Sequence, residues 1–152
     1  MMKKINRILV ALDFSPYSKE VLTNAIETAK RTSAEILIVN VINRRDIDTV
    51  KQIFEKEQPG VFSMQKYMSD DLARRSRLIQ EMITECGGDK ETIKTLFMEG
   101  TPFEQILKAI IDENVDMVIM GKKGKSNLAS VLFGGCAEKL FRHSPVPVFS
   151  VR

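Results

Sequence analysis

VDMVIMGKKGKSNLASVLFGGCAEKLFR, residues 115–142, decides how the rest of the chain is read. Val115 to Met120 is a short apolar run. Gly121-Lys122-Lys123-Gly124 follows it, then nine residues, then Gly134-Gly135, and a helical pattern opens at Cys136 to Arg142. Strand, glycine loop and helix in that order suit an anion. Glycines let the backbone turn tightly and approach a ligand closely. A helix N-terminus offers free N–H groups and the positive end of its dipole. Lys122, Lys123 and Lys125 bring cations to the same place. Two glycines also occur in ordinary surface turns, but Gly134-Gly135 and the lysines favour a phosphate site. The tripeptide Gly124-Lys125-Ser126 is not the end of a P-loop, because that motif needs glycine where Ile119 stands. No GxGxxG occurs, which disfavours a classical dinucleotide fold.

Outward from this stretch, strands and helices alternate. Arg7 to Leu12 reads as a buried strand. In the turn Asp13-Phe14-Ser15-Pro16, Ser15 is the expected N-cap and Pro16 the first helical residue. Val21, Leu22, Ala25, Ile26 and Ala29 recur at helical spacing. Ile36 to Ile42 suits a strand covered on both faces. Asn43 to Ser63, with Pro59 and Gly60, reads as a long excursion with some helix. Helical spacing resumes at Met68 and runs to Cys86, where Gly87-Gly88 supplies a stop. Thr92 to Met98 is the third strand. Thr101-Pro102 begins a helix with Phe103, Ile106, Leu107, Ile110 and Ile111 on one face. Asp116 to Met120 is the fourth strand, and Pro145 to Val151 the fifth, its prolines suited to a strand start or sheet edge.

The expectation is one α/β domain over residues 1–152: a three-layer, doubly wound, five-stranded parallel sheet with about four helices. Ligands bind such sheets outside the carboxyl ends of the strands, where strand order reverses. Asp13, Gly100 and the loop from Gly121 all follow strands.

Length and composition agree with one domain. The chain has 152 residues and is 43% hydrophobic, enough for a core. No apolar run is long enough to span a bilayer, and the N-terminus lacks the apolar region of a secretory signal, so a cytoplasmic protein is expected. A net charge of +3 does not favour general nucleic-acid binding. Cys86 and Cys136 form no CxxC pair and read as small apolar residues in a reduced compartment. With one histidine, His143, a transition-metal site is not expected. His143 reads as a helix C-terminal residue. Met98, Met117 and Met120 read as core packing, Met120 also standing at a strand end beside the loop. Arg74, Arg75 and Arg77 read as a solvated helix face. Asp13 reads two ways, as a turn residue or as a carboxylate for a ribose hydroxyl or Mg²⁺. Val41 reads as core or as a backbone edge for adenine.

Together these residues resemble the universal stress protein family over essentially the whole chain. Gly121, Gly124 and Gly134 match its G-x2-G-x9-G spacing. ILVALDFSPYS, residues 8–18, is similar to its first strand and aspartate loop, and residues 138–148 are similar to its last helix and strand. The resemblance implies a five-stranded parallel sheet of the adenine nucleotide alpha hydrolase-like kind and a homodimer through the C-terminal strand, Val146 to Val151. It implies ATP, or ADP or AMP, at the strand ends, with Mg²⁺ through Asp13. By position Asp13 would meet ribose or the metal–phosphate region and Val41 would meet adenine through its backbone, with Ala11 and Leu12 also among the nucleotide-binding residues. Gly121, Gly124 and Gly134 would wrap the phosphates, and Gly100, Met120, Lys122, Lys125, Ser126, Gly135 and Cys136 would complete the nucleotide-binding set. Where the family has Ser or Thr after the third glycine, this chain has Gly135. Cys136 falls at an apolar family position and is not read as a nucleophile.

Three functions follow: an ATP-binding stress-response or signalling protein with an unknown protein partner, a nucleotide-free dimeric chaperone-like module, or a slow ATPase. With no clear general base or arginine finger near the loop, an enzyme is not expected.

Overall fold

The computed structural model describes residues 3–60, 63–123 and 135–152. Its elements are β1 (Arg7–Ala11), α1 (Ser18–Thr32), β2 (Glu35–Asn43), α2 (Arg44–Glu57), α3 (Met64–Glu85), β3 (Lys94–Gly100), α4 (Pro102–Asp112), β4 (Met117–Gly121), α5 (Gly135–His143) and β5 (Val148–Val151). The strands form one sheet in the order β3-β2-β1-β4-β5. Every pairing is parallel: Ile8 stands opposite Ile36 on one side and Met117 on the other. Strand order therefore reverses at β1, which feeds β2 through α1 yet also pairs with β4.

The two-residue period of the strands sorts their side chains into two cores. Ile8, Val10 and Leu12 of the first strand and its end join Ile36 and Ile38 of β2 on the face covered by α1 and α3. Leu9, Leu37, Val39 and Val118 join the opposite face, under α4 and α5. Both layers are mostly apolar, which is why these strands read as nearly continuous hydrophobic runs. Each such buried Leu, Ile or Val contributes about 1.5–3 kcal/mol.

The fifth helix is a difference from the sequence reading. Asn43 caps α2 by accepting the Arg45 N–H at 3.1 Å, but among the buried residues of this helix is only Ile47, and Ile53 and Phe54 are exposed. With almost no buried stripe, its periodicity points at nothing. The next helix starts at Met64, capped by Ser63, not at Met68. Nor is Ser15 the cap of α1. Tyr17 occupies that position without a side-chain bond, and the Ser15 hydroxyl accepts the Tyr17 N–H at 3.3 Å inside a preceding turn. Phe14 sits at φ 59°, a left-handed conformation that lengthens this turn before the helix begins.

β3 begins two residues later than expected, because the Asp89 carbonyl accepts the N–H groups of Thr92 and Ile93 and keeps them in a turn. β5 starts after both prolines; the Pro147 carbonyl still accepts the Val118 N–H at 2.9 Å. The Gly87-Gly88 stop is as read. Gly87 takes φ 78°, its N–H donates to the Thr84 carbonyl, and the Gly88 N–H donates to Ile83.

Candidate functional site

A cavity of about 390 Å³ opens at the carboxyl ends of β1, β2 and β4, where strand order reverses. Its volume suits a small-molecule ligand. The end of β1 forms its centre. The Asp13 carboxylate accepts the Ser15 N–H at 3.0 Å and the Ser18 hydroxyl at 3.5 Å. The turn-forming role of Asp13 is thus real, and its place on the cavity wall is real as well. The strained φ of Phe14 costs of order 1 kcal/mol and is held by this bond pattern.

β4 forms one side of the cavity. Met120 and Gly121 end the strand, and Lys122 and Lys123 follow on the wall. The Lys122 N–H donates to the Val151 carbonyl at 2.8 Å, which ties the start of the loop to β5. A Cβ on Gly121 would stand 3.0 Å from the Lys123 carbonyl oxygen and 3.5 Å from Val21, so glycine allows the chain to fold back tightly there. Opposite, the first turn of α5 brings Gly135 and Cys136 to the cavity. Burial, together with the Asp13 carboxylate, pushes the Cys136 thiol up to about 11. It stays a neutral thiol near pH 7, a poor nucleophile.

β2 forms the other side, with Val39, Asn40 and Val41 at the wall. Asn40 is fully buried in the middle of an apolar strand. Its Nδ2 donates to the Leu12 carbonyl at 2.7 Å, one step beyond the last backbone bond from Leu12 N–H to Val39. Its Oδ1 accepts from Arg75 Nη1 at 2.9 Å, and Arg75 Nε donates to Asp71 at 2.7 Å. Arg74 donates to the other oxygen of Asp71, also at 2.7 Å. Burial pushes Asp71 up, but its bonds to Arg74 and Arg75 outweigh that and hold the carboxyl below its usual range.

Arg75 therefore departs from the solvated-face reading: it is buried and lines the cavity, while Arg74 and Arg77 are exposed. Ser15, Ser18, Asn43 and Asp46 also line the cavity and were not singled out as contacts. The available signal was Asn40. An asparagine inside ILIVNVI must find hydrogen-bond partners when both faces of its strand are covered.

Of the sequence-read site residues, Ala11, Leu12, Asp13, Val41, Met120, Gly121, Lys122, Gly135 and Cys136 meet at this one cavity. Gly100 is not among its lining residues. It ends β3 at the sheet edge, two strands from β4's nearest neighbour β1, with the Gln105 side chain packed over it. Gly124, Lys125, Ser126 and Gly134 lie outside the described residues.

A model of the universal stress protein family matches residues 4–152. The chain belongs to that family. The universal stress protein MJ0577 of Methanocaldococcus jannaschii is 28% identical over 96% of this chain and 94% of its own length. The solved structure of MJ0577 superposes with a TM-score of 0.75 over 98% of this chain and 96% of that one. UspA from Lactobacillus plantarum, 18% identical, superposes at 0.77 over 99% and 100% of the two chains. A universal stress protein solved in complex with cAMP, 17% identical, superposes at 0.65 over 99% and 98%. The five-stranded parallel fold is thus that of the family. In this member, Gly135 replaces the Ser or Thr implied by the resemblance, and among the described residues a Cβ there would meet nothing within 4 Å. Among the described residues no helix is long and apolar enough to cross a membrane.

Proposed function

We propose that this universal stress protein binds an adenine nucleotide, ATP with Mg²⁺, and works as a ligand-dependent switch for a protein partner in a cytoplasmic stress-response or signalling role. The observation that carries the reading is the cavity at the switch point, which joins Asp13, Val41 and the Lys122-Lys123 start of the glycine loop. The phosphates would lie toward Lys122, Lys123 and the first turn of α5, where N–H groups and cations attract anions. The nucleoside would lie toward β2, with Val41 offering backbone groups to the base. That a family member has been solved with cAMP supports an adenine ligand for this fold. Among the described residues no three His, Cys, Asp or Glu side chains gather as a metal cluster. Mg²⁺ therefore fits as a passenger on the phosphates, with Asp13 as the protein's contribution.

Binding is proposed in preference to turnover. Phosphoryl transfer needs a positioned group at the transferred phosphate. Arg75 is tied to Asp71 and Asn40 at β2, two strand spacings, about 10 Å, from β4.

Calorimetry of the purified protein with ATP, ADP and AMP tests the reading. Saturable binding supports it, and no heat at millimolar ligand rejects it. Gly135→Ser supplies a test of the phosphate side. No described residue stands within 4 Å of a Cβ at Gly135, and one added bond to phosphate is worth about 0.5–1.5 kcal/mol. ATP affinity should rise about three- to tenfold in the same titration. Unchanged or weaker binding would place the phosphates elsewhere.

A second reading, a dimeric interaction module, is favoured by the open edge of β5. Among the described residues that strand pairs only with β4, and Phe149 on it and Phe141 on α5 are about 45% and 44% exposed. We propose a homodimer through this edge, whether or not nucleotide is bound. Phe149→Lys should convert a sedimenting dimer into a monomer at micromolar concentration; an undiminished dimer would move the interface elsewhere.

A further inference from the structure

We infer that Arg75 determines ligand specificity, donating from its guanidinium to acceptors at the nucleoside end of a bound nucleotide. The inference rests on the nucleotide reading above and adds to it a residue from α3, a helix on which that reading does not draw.

Four observations carry it. Arg75 is about 8% exposed, and what it lines is the cavity. Its position is fixed from two directions: Nε on Asp71 of its own helix and Nη1 on Asn40 of β2. A guanidinium carries five N–H donors in a rigid fork, so these two bonds leave capacity for a ligand. The Phe14 ring, 5.8 Å from the guanidinium carbon, adds a third support from the β1 turn. Charge is also left over, because Arg74 and Arg75 share the one carboxylate of Asp71. The cavity wall carries carboxylates as well, Asp13 and Asp46. They limit how far an anion could be drawn there and favour neutral acceptors, such as base nitrogens or ribose oxygens.

Stability does not account for the arrangement. A buried ion pair contributes little compared with apolar side chains of similar volume, because desolvation offsets the attraction. The neighbours of Arg75 on α3 that face the sheet, Ile79 and Ile83, show what a purely structural position on this helix contains. A charge fixed at the wall of a cavity stands where the acceptors of a ligand would meet it. Asn40, which holds it, stands on β2, and Lys122-Lys123 follow β4, so the strand order sets Arg75 and the lysines on opposite sides of β1 and favours the nucleoside end for Arg75.

The test compares three probes, ATP, adenosine and inorganic triphosphate, on the wild-type protein and on Arg75→Met and Arg75→Lys. Arg75→Met should weaken ATP and adenosine about tenfold, the loss of one charge-assisted bond, and leave triphosphate within about twofold. Arg75→Lys should stay several-fold weaker than wild type, because one ammonium cannot hold Asp71 and Asn40 and also reach the ligand. Equal losses for all three probes, or undiminished ATP binding, would overturn the inference while leaving nucleotide binding intact. If Arg75→Met does not fold, Asp71→Asn keeps the guanidinium and releases it, and the same selective loss is expected; an equal loss overturns the proposal. A wild-type protein that binds none of the probes would sink the nucleotide reading itself, and this inference with it.

Discussion

Replacing Asn40 with Leu should destabilise the protein by about 3 kcal/mol, read as a lower urea midpoint at unchanged slope. The side chains have similar volume, so packing alone predicts almost no change. What is lost is polar. The Leu12 carbonyl gives up the Nδ2 donor at 2.7 Å, and Arg75 gives up its acceptor at 2.9 Å. Both groups stay in place with nothing in the new side chain to bond. A buried polar group left without its partner costs about 1–3 kcal/mol, and a charged one stands at the upper end. The damage should be local as well as global. Asn40 extends the β1–β2 pairing by one rung, at the residue before Asp13. Without it the Asp13-Phe14-Ser15 turn loses its tie to β2, and nucleotide affinity should fall alongside stability. A variant within about 0.5 kcal/mol of wild type would mean that this bridge holds nothing in solution.

The same residue shows why part of the site was legible in the sequence and part was not. The fold was legible because its determinants are local. Apolar runs such as RILVAL and ILIVNVI have the length and branching of covered strands, and the intervening helices carry apolar stripes at i, i+3 and i+4. The β1 and β4 halves of the site were legible for a similar reason. Asp13 and the Gly121 loop sit directly after strands, and a parallel sheet collects such ends along one edge. α2 was not legible, because its Ile53 and Phe54 face solvent and give the period no buried face to report. Arg75 was hidden differently. It stands among Arg74 and Arg77, which do face solvent, and nothing within one turn of α3 distinguishes it except Asp71 four residues before. Its partner Asn40 is 35 residues away. A pairing that depends on how a helix docks onto a strand has no local signature; only the polar residue stranded in an apolar strand announces that some partner must exist.

Reversing the charge of the loop's start should have the largest effect on ligand binding. In the double variant Lys122→Glu/Lys123→Glu, ATP affinity should drop at least a hundredfold at low salt, with the difference shrinking as salt rises. Each substitution changes the local charge by two units. At about 8 Å and an effective dielectric of roughly 40, one pair of unit charges interacts by about 1 kcal/mol. Against a polyphosphate of several negative charges, four units of change exceed the roughly 2.7 kcal/mol of a hundredfold loss even after generous screening. Adenosine, which carries no phosphate, should lose far less. That contrast is the mirror image of the one expected for Arg75, where the nucleoside suffers and triphosphate does not. The two variants thus assign opposite ends of one ligand to opposite sides of β1. The loop variant also separates the two functional readings. The Lys122 N–H bond to the Val151 carbonyl is a backbone bond and survives a side-chain change, so β5 and its open edge should be unaffected. A dimer that persists while ATP binding is lost would show assembly to be independent of the ligand. A dimer that dissociates with it would tie the edge strand to the state of the pocket, through the Lys122 N–H bond that joins the start of the loop to the end of β5.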